Sequence, residues 1–171
     1  MARKRPFWLL RLAMNLWPPY LGAGIRVRRI ADDFREIVVD MPLRLHNRGY
    51  FGTHFGGSLY AMTDPFFALM VLHNLSDDYV VWDKGASIEF IAPGRSRMRA
   101  TFVLAQDDLD RIVSMTEAGD KHLHLFSVDV VDGEGLTVAK VEKLMGASIM
   151  CVDSQRSLAG LKSLSVVSVQ E

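Results

Sequence analysis

From Ser58 to about Leu75 the chain is apolar around nearly its whole helical circumference, with Leu59, Tyr60, Ala61, Met62, Phe66, Phe67, Ala68, Leu69, Met70, Val71 and Leu72 in one run. That length and all-round character predict a buried helix rather than a strand. Pro65 sits inside it, removes one backbone donor and predicts a kink. Ahead of the helix, Ile25 to Leu45 reads as extended, either a hairpin or one long bent strand, and a glycine-rich loop follows over 47–57. Behind it, Val80 to Ala92 and Arg97 to Ala105 read as strands joined by the turn Pro93-Gly94-Arg95-Ser96. Asp107 to Gly119 has Leu109, Ile112, Val113 and Thr116 at helical spacing, with acids at its start and a glycine at its end. Leu123–Val131 and Leu136–Ile149 form a last hairpin around Asp132–Gly135, and the Ser-rich remainder after Cys151 has no clear period. One long apolar helix must be covered on most sides, and a curved antiparallel sheet wrapped around it does this; the predicted class is α+β.

The N-terminal segment has a different character. Lys4, Arg11 and Asn15 share one helical face, and Phe7, Trp8, Leu9, Leu12 and Leu16 supply the apolar side, until Pro18-Pro19 stops the helix. A basic end followed by an apolar stretch invites a signal peptide, but Arg11 and Asn15 interrupt the stretch and no A-x-A cleavage site follows. The helix is expected to dock on its own domain; the competing expectation is peripheral contact with an anionic membrane. The chain thus divides into an amphipathic helix over 1–21, a single domain over 22–150 and a tail over 151–171.

Charge changes the picture more by its distribution than by its sum. Lys+Arg and Asp+Glu are 20 each, so the chain has no basic excess to displace counterions and no nucleic-acid partner is expected. Seven of the basic residues, and no acid, fall in 1–30, which leaves 13 basic against 20 acidic side chains in 31–171. The single cysteine forms no intramolecular disulfide, and no apolar run reaches the roughly 18–20 residues of a membrane span. A cytoplasmic protein is the expectation.

Asp64 is the residue that breaks the pattern, a carboxylate inside the most apolar segment. Unpaired in a dry interior it would cost several kcal/mol, roughly. Two readings are open. Asp64-Pro65 fits the cap and first position of a second helix; alternatively Asp64 is a general base whose pKa is raised by apolar surroundings. Gly56 and Gly57 precede it at a helix N-terminus, where unpaired N–H groups can hold a developing oxyanion. His54 precedes the glycines and either holds the loop or meets a carbonyl.

The run Asn47…His54-Phe-Gly-Gly57…Asp64, followed by Lys84-Gly-Ala-Ser-Ile-Glu-Phe-Ile-Ala-Pro93, resembles the hotdog-fold thioesterases of the phenylacetate-pathway (PaaI-like) type. The resemblance covers about Gly22 to Ile149 and implies a hotdog fold, with one long central helix wrapped by a curved antiparallel sheet. It implies that Asp64 acts as general base or nucleophile, that Gly56, with Gly57 beside it, polarises a thioester carbonyl, and that Asn47 binds the water or the carbonyl. His54, Lys84 and Ser87 are the substrate-binding candidates. It implies an acyl-CoA substrate, with coenzyme A present only as part of it and no other cofactor, and a homodimer or homotetramer with the site at its interface. Two departures stand out: Phe55 is inserted between His54 and the glycines, and Pro65 directly follows Asp64.

The remaining candidates are weaker. Lys84 follows Trp82-Asp83 on a strand expected beside the helix and could pair with Asp64. Arg95, Arg97 and Arg99 could meet coenzyme A phosphates, although a solvated strand face accounts for them as well. His122 and His124 share a strand face, but no Cys or carboxylate lies at ligand spacing, so no metal is expected. The expected activity is thioester hydrolysis by a carboxylate-activated water. A non-catalytic acyl-binding module is the alternative, and a dehydratase or hydratase, suggested by His54-Phe55, ranks last.

Overall fold

The computed structural model describes residues 6–149. The basic residues of 1–5 and the Ser-rich tail over 151–171 lie outside them. Helix α1 (Phe7–Leu16) ends ahead of the proline pair as expected. The prolines then open a second short helix, α2 (Pro18–Ala23), because proline's fixed φ suits a first turn that needs no donor. Gly24 closes α2 at φ 75°, a left-handed geometry that glycine adopts without strain, and a Cβ there would sit 2.7 Å from the Asn47 amide nitrogen.

The extended region after it is a hairpin, β1 (Arg26–Ile30) and β2 (Glu36–Met41). Strands β3 (Tyr79–Phe90), β4 (Met98–Val103), β5 (His122–Val131) and β6 (Thr137–Ile149) match the expected strands to within two residues at each end. All six join one antiparallel sheet in the order β1-β2-β4-β5-β6-β3. A further helix, numbered α5 (Gln106–Thr116), links β4 to β5 and buries Leu109, Ile112 and Thr116.

The long central helical segment runs from Gly56 to Asn74 and is interrupted where Pro65 predicts a kink. Helix α3 (Gly56–Ala61) and helix α4 (Phe66–Asn74) are separated by a turn over 62–65 that contains a cis Asp64-Pro65 bond. Helical hydrogen bonding resumes at Phe66 with Pro65 in the cap position, so Asp64 is not the N-cap that one reading of the dipeptide expects.

Packing follows from strand alternation. In β5, Phe126, Val128 and Val130 are buried while Leu125, Ser127 and Asp129 are exposed, and β4 alternates in the same way. The inner face closes on α4 through an aromatic cluster. Phe66 lies 4.9 Å from Phe102, and Phe67 lies 5.2 Å from Phe102 and stacks on Phe126 at 4.6 Å. The sheet does not cover α4 all round, since Leu72 on its outer side is 44% exposed.

Candidate functional site

Asp64 stands at the break between α3 and α4, where its side chain is 44% exposed rather than sealed in the core. Its Oδ1 accepts a hydrogen bond from Lys143 Nζ at 2.6 Å. Lys143 is buried, with 3% of its side chain exposed, and its ammonium also lies 3.4 Å from Asp83 Oδ2 and 5.5 Å from the centre of the Tyr60 ring. Burial disfavours that ammonium. The hydrogen bond and charge of Asp64, then the charges of Asp83 and Tyr60, outweigh it and hold Lys143 above the ordinary lysine value. Tyr20 donates its hydroxyl to the Asp64 main-chain oxygen. Burial, and then the Asp64 charge, push the Tyr20 phenol up, so it remains a donor. The carboxylate is thus set by three elements at once: α2 through Tyr20, β6 through Lys143 and the α3–α4 turn.

The lysine that meets Asp64 is Lys143 and not Lys84. Lys84 falls at the bulge between Asp83 and Gly85, on the exposed side of β3, and Ser87 further along the strand bonds Glu142 at 3.4 Å. Asn47 is buried in a loop of its own making. Its amide nitrogen donates to the Ala23 and Pro42 carbonyls, each at 2.9 Å, and its oxygen accepts from the Arg44 N–H at 2.7 Å. Both donor hydrogens are therefore committed to fixing the segment between β2 and the glycine loop to the end of α2.

His54 pins the other end of that loop. Its backbone N–H donates to the Gly94 carbonyl at 2.9 Å and Nε2 lies 2.8 Å from the Ser96 carbonyl. Burial pulls the imidazole below the ordinary histidine value, with the Ser96 contact opposing, so the neutral ring donates from Nε2. A histidine pKa depressed by folding gives stability that is complete above about pH 6.5 and is lost as pH falls through the folded-state value. Urea midpoints of the native chain are expected to fall between pH 7.5 and pH 5.5, and His54→Gln to flatten that slope. Identical slopes would remove His54 as its source.

Gly56 and Gly57 open α3 as expected. A cavity of about 340 Å³ lies at this end, walled by His54, Leu59, Phe90, Pro93 and Gly94. Gly57 and Asp64 are seven positions apart in the chain, with the rest of α3 and the 62–65 turn between them.

On the outer face of the sheet, Arg97 and Arg99 turn to Asp40, which is 1% exposed and lies 3.7 Å and 2.8 Å from them, with Arg28 at 3.1 Å. Burial opposes ionisation of Asp40, but the Arg99 and Arg28 hydrogen bonds and charges hold it below the usual carboxylate range. Two of the three arginines considered for coenzyme A are thus tied into this strand-face cluster. Of the two histidines on β5, His124 bonds Asp108 at 3.1 Å, and among the described residues no group of three or more metal-ligating side chains converges.

An antiparallel six-stranded sheet curled around a central helical segment is the hotdog fold, and comparison with solved structures agrees. The chain is similar in fold to PA5026 of Pseudomonas aeruginosa, a protein of unknown function described as a probable thioesterase, at TM-score 0.73 and 16% identity over 85% of this chain and 97% of that one. It is also similar to the thioesterase HI1161 of Haemophilus influenzae, at TM-score 0.61 and 16% identity over 88% and 96%. A mutant form of the thioesterase PA1618 of Pseudomonas aeruginosa gives TM-score 0.62 and 14% identity over 87% and 98%. No curated protein matches the chain by sequence. The family model for the domain of unknown function DUF4442 matches residues 7–146, and the chain belongs to that family. Among the described residues no helix is long and apolar enough to cross a membrane.

Proposed function

We propose that this chain is a cytoplasmic acyl-CoA thioesterase in which Asp64 activates water. The observation that carries the reading is the half-open Asp64 carboxylate, fixed by buried Lys143 at the break of the central helix. With Oδ1 taken by Lys143, Oδ2 is the oxygen that would accept a proton from water as the water oxygen bonds to the thioester carbonyl carbon. The N–H groups of Gly56 and Gly57 would stabilise the resulting oxyanion. Collapse breaks the carbon–sulfur bond, and the leaving thiolate takes the proton held on Asp64, which gives free coenzyme A and the carboxylic acid and regenerates the carboxylate. In this reading His54 and Asn47 hold the loop that presents the glycines, and Lys84 and Ser87 on the exposed strand are left to contact the carrier.

In this reading the site is shared with a second copy, whose Asp64 would face the glycines of the first. Strand β3 supports this assembly. It is a 12-residue edge strand with one side unpaired, carrying exposed Val80 and Phe90, a geometry that pairs readily with another strand. Light scattering on the full chain is expected to give the mass of a dimer or tetramer. A monomer that still hydrolyses acyl-CoA would overturn the shared site. The activity itself is tested by assaying purified chain against acyl-CoAs of graded length.

One observation favours a second reading, binding without turnover. Lys143 already pairs with both Asp64 and Asp83 as in a structural network, and the Phe55 ring packs against the position a Gly57 side chain would take. Saturable acyl-CoA binding with no release of thiol would select it.

A further inference from the structure

Helix α1 docks on β1, but not by its main apolar face. Met14 is buried and Leu10 packs against the core, while Asn15 exchanges two hydrogen bonds with the Val27 main chain, at 2.8 Å and 3.0 Å. The opposite side carries Trp8, Leu12 and Leu16 at i, i+4 and i+8, which are 54%, 49% and 60% exposed. Trp17 and Leu21 of the α2 region extend this ridge, at 48% and 55% exposed. Five large exposed apolar side chains within 14 residues exceed the scattered exposure of an ordinary surface.

The ridge borders a groove of about 620 Å³ whose apolar wall includes Trp8, Leu12 and Leu21 and whose cationic wall is Arg11, Arg26, Arg28 and Arg44. Among the described residues lining it none is acidic. Buried Asp40 lies against Arg28 and Arg11 donates to the Arg28 carbonyl, which leaves Arg26 and Arg44 as its most available charges. Apolar side chains with two tryptophans beside clustered arginines match the layered chemistry of a bilayer surface, with acyl tails below and phosphate headgroups above.

We infer that the α1–α2 ridge and its arginine groove dock the protein peripherally on an anionic lipid bilayer. The apolar strip enters the interface and Arg26 and Arg44 contact lipid phosphates. Tyr20, in the floor of the groove, also bonds the Asp64 main chain, so the docked face adjoins the candidate site. The inference does not depend on hydrolysis, and its test reads binding alone.

Full-length protein is sedimented with vesicles of phosphatidylcholine, and with vesicles containing one third phosphatidylglycerol. Binding is expected to the anionic vesicles only, to weaken at high salt, and to shift tryptophan emission to the blue. Arg26→Gln with Arg44→Gln is expected to lower affinity by about 25-fold, at about fivefold per lost cation. Trp8→Glu with Leu12→Glu, both at exposed positions and so compatible with folding, is expected to abolish sedimentation. Absence of anionic-vesicle binding, equal binding to neutral vesicles, or wild-type binding by the Trp8/Leu12 variant would each overturn the inference. So would a Trp8/Leu12 variant that converts an oligomer to a monomer, because the ridge would then be a contact between copies.

Discussion

Asp64→Asn is expected to lower kcat for acyl-CoA hydrolysis by about 10²–10⁴-fold, the usual worth of a positioned general base. The substitution preserves volume and leaves an amide oxygen to accept from Lys143 Nζ, which now lies 2.6 Å from Oδ1. It removes the charge, and with it the capacity to take a proton from water. Lys143 keeps Asp83 at 3.4 Å as a counter-charge, so its buried ammonium is weakened in support but not stranded. The thermal midpoint is therefore expected to drop modestly while turnover collapses. The measurement is release of free thiol from a saturating acyl-CoA, with binding followed separately. Equal turnover by Asp64→Asn and the native chain would remove Asp64 from the chemistry.

The sequence announced the carboxylate because Asp64 is the one acid in an apolar helical run, but its partner went unnoticed. Lys143 carries the same kind of signal on a strand. Val141 and Met145 face inward, and at period two Lys143 between them must face inward too. A lone inward lysine and a lone mid-helix aspartate are complementary, and matching them needs only the expectation that the last strand crosses the helix. Lys84 attracted the pairing instead because it lies near Trp82-Asp83, but a bulge at 83–85 disturbs the alternation that would have aimed it. Tyr20 was out of reach for another reason. It follows a proline pair that ends α1, and only three-dimensional packing reveals that the same prolines begin α2 and turn its hydroxyl toward the α3–α4 turn.

The strands were legible within two residues because their alternation is regular and turn residues bound them. The interruption at Pro65 was legible as a kink, but local apolarity does not say how sharply it breaks the hydrogen-bond ladder. Asn47 illustrates a further limit: a polar residue in a glycine-rich loop looks the same in sequence whether it meets a substrate or bonds the Ala23 and Pro42 carbonyls.

Phe67→Ala is expected to destabilise the fold by about 3–5 kcal/mol, among the largest single effects available in this core. Phe67 is 2% exposed, stacks on Phe126 of β5 and meets Phe102 of β4 edge-on, so it fastens the first turn of α4 to two strands of the inner face. Truncation leaves a ring-sized void lined by two other aromatic side chains, and Phe66, already in contact with Phe102 at 4.9 Å, cannot fill it without leaving Tyr20 at 6.3 Å. The consequence reaches the site because Phe67 lies three residues beyond Asp64, and α4 is what holds the far side of the turn that carries the carboxylate. Urea unfolding is expected to show a lower midpoint with an unchanged slope. At denaturant-free equilibrium, where the variant remains folded, turnover is expected to fall further than the folded fraction does. Phe67→Leu, which fills most of the space, is expected to recover most of the stability. If Phe67→Ala unfolds at the same urea concentration as the native chain, the aromatic cluster is not what seats α4 on the sheet.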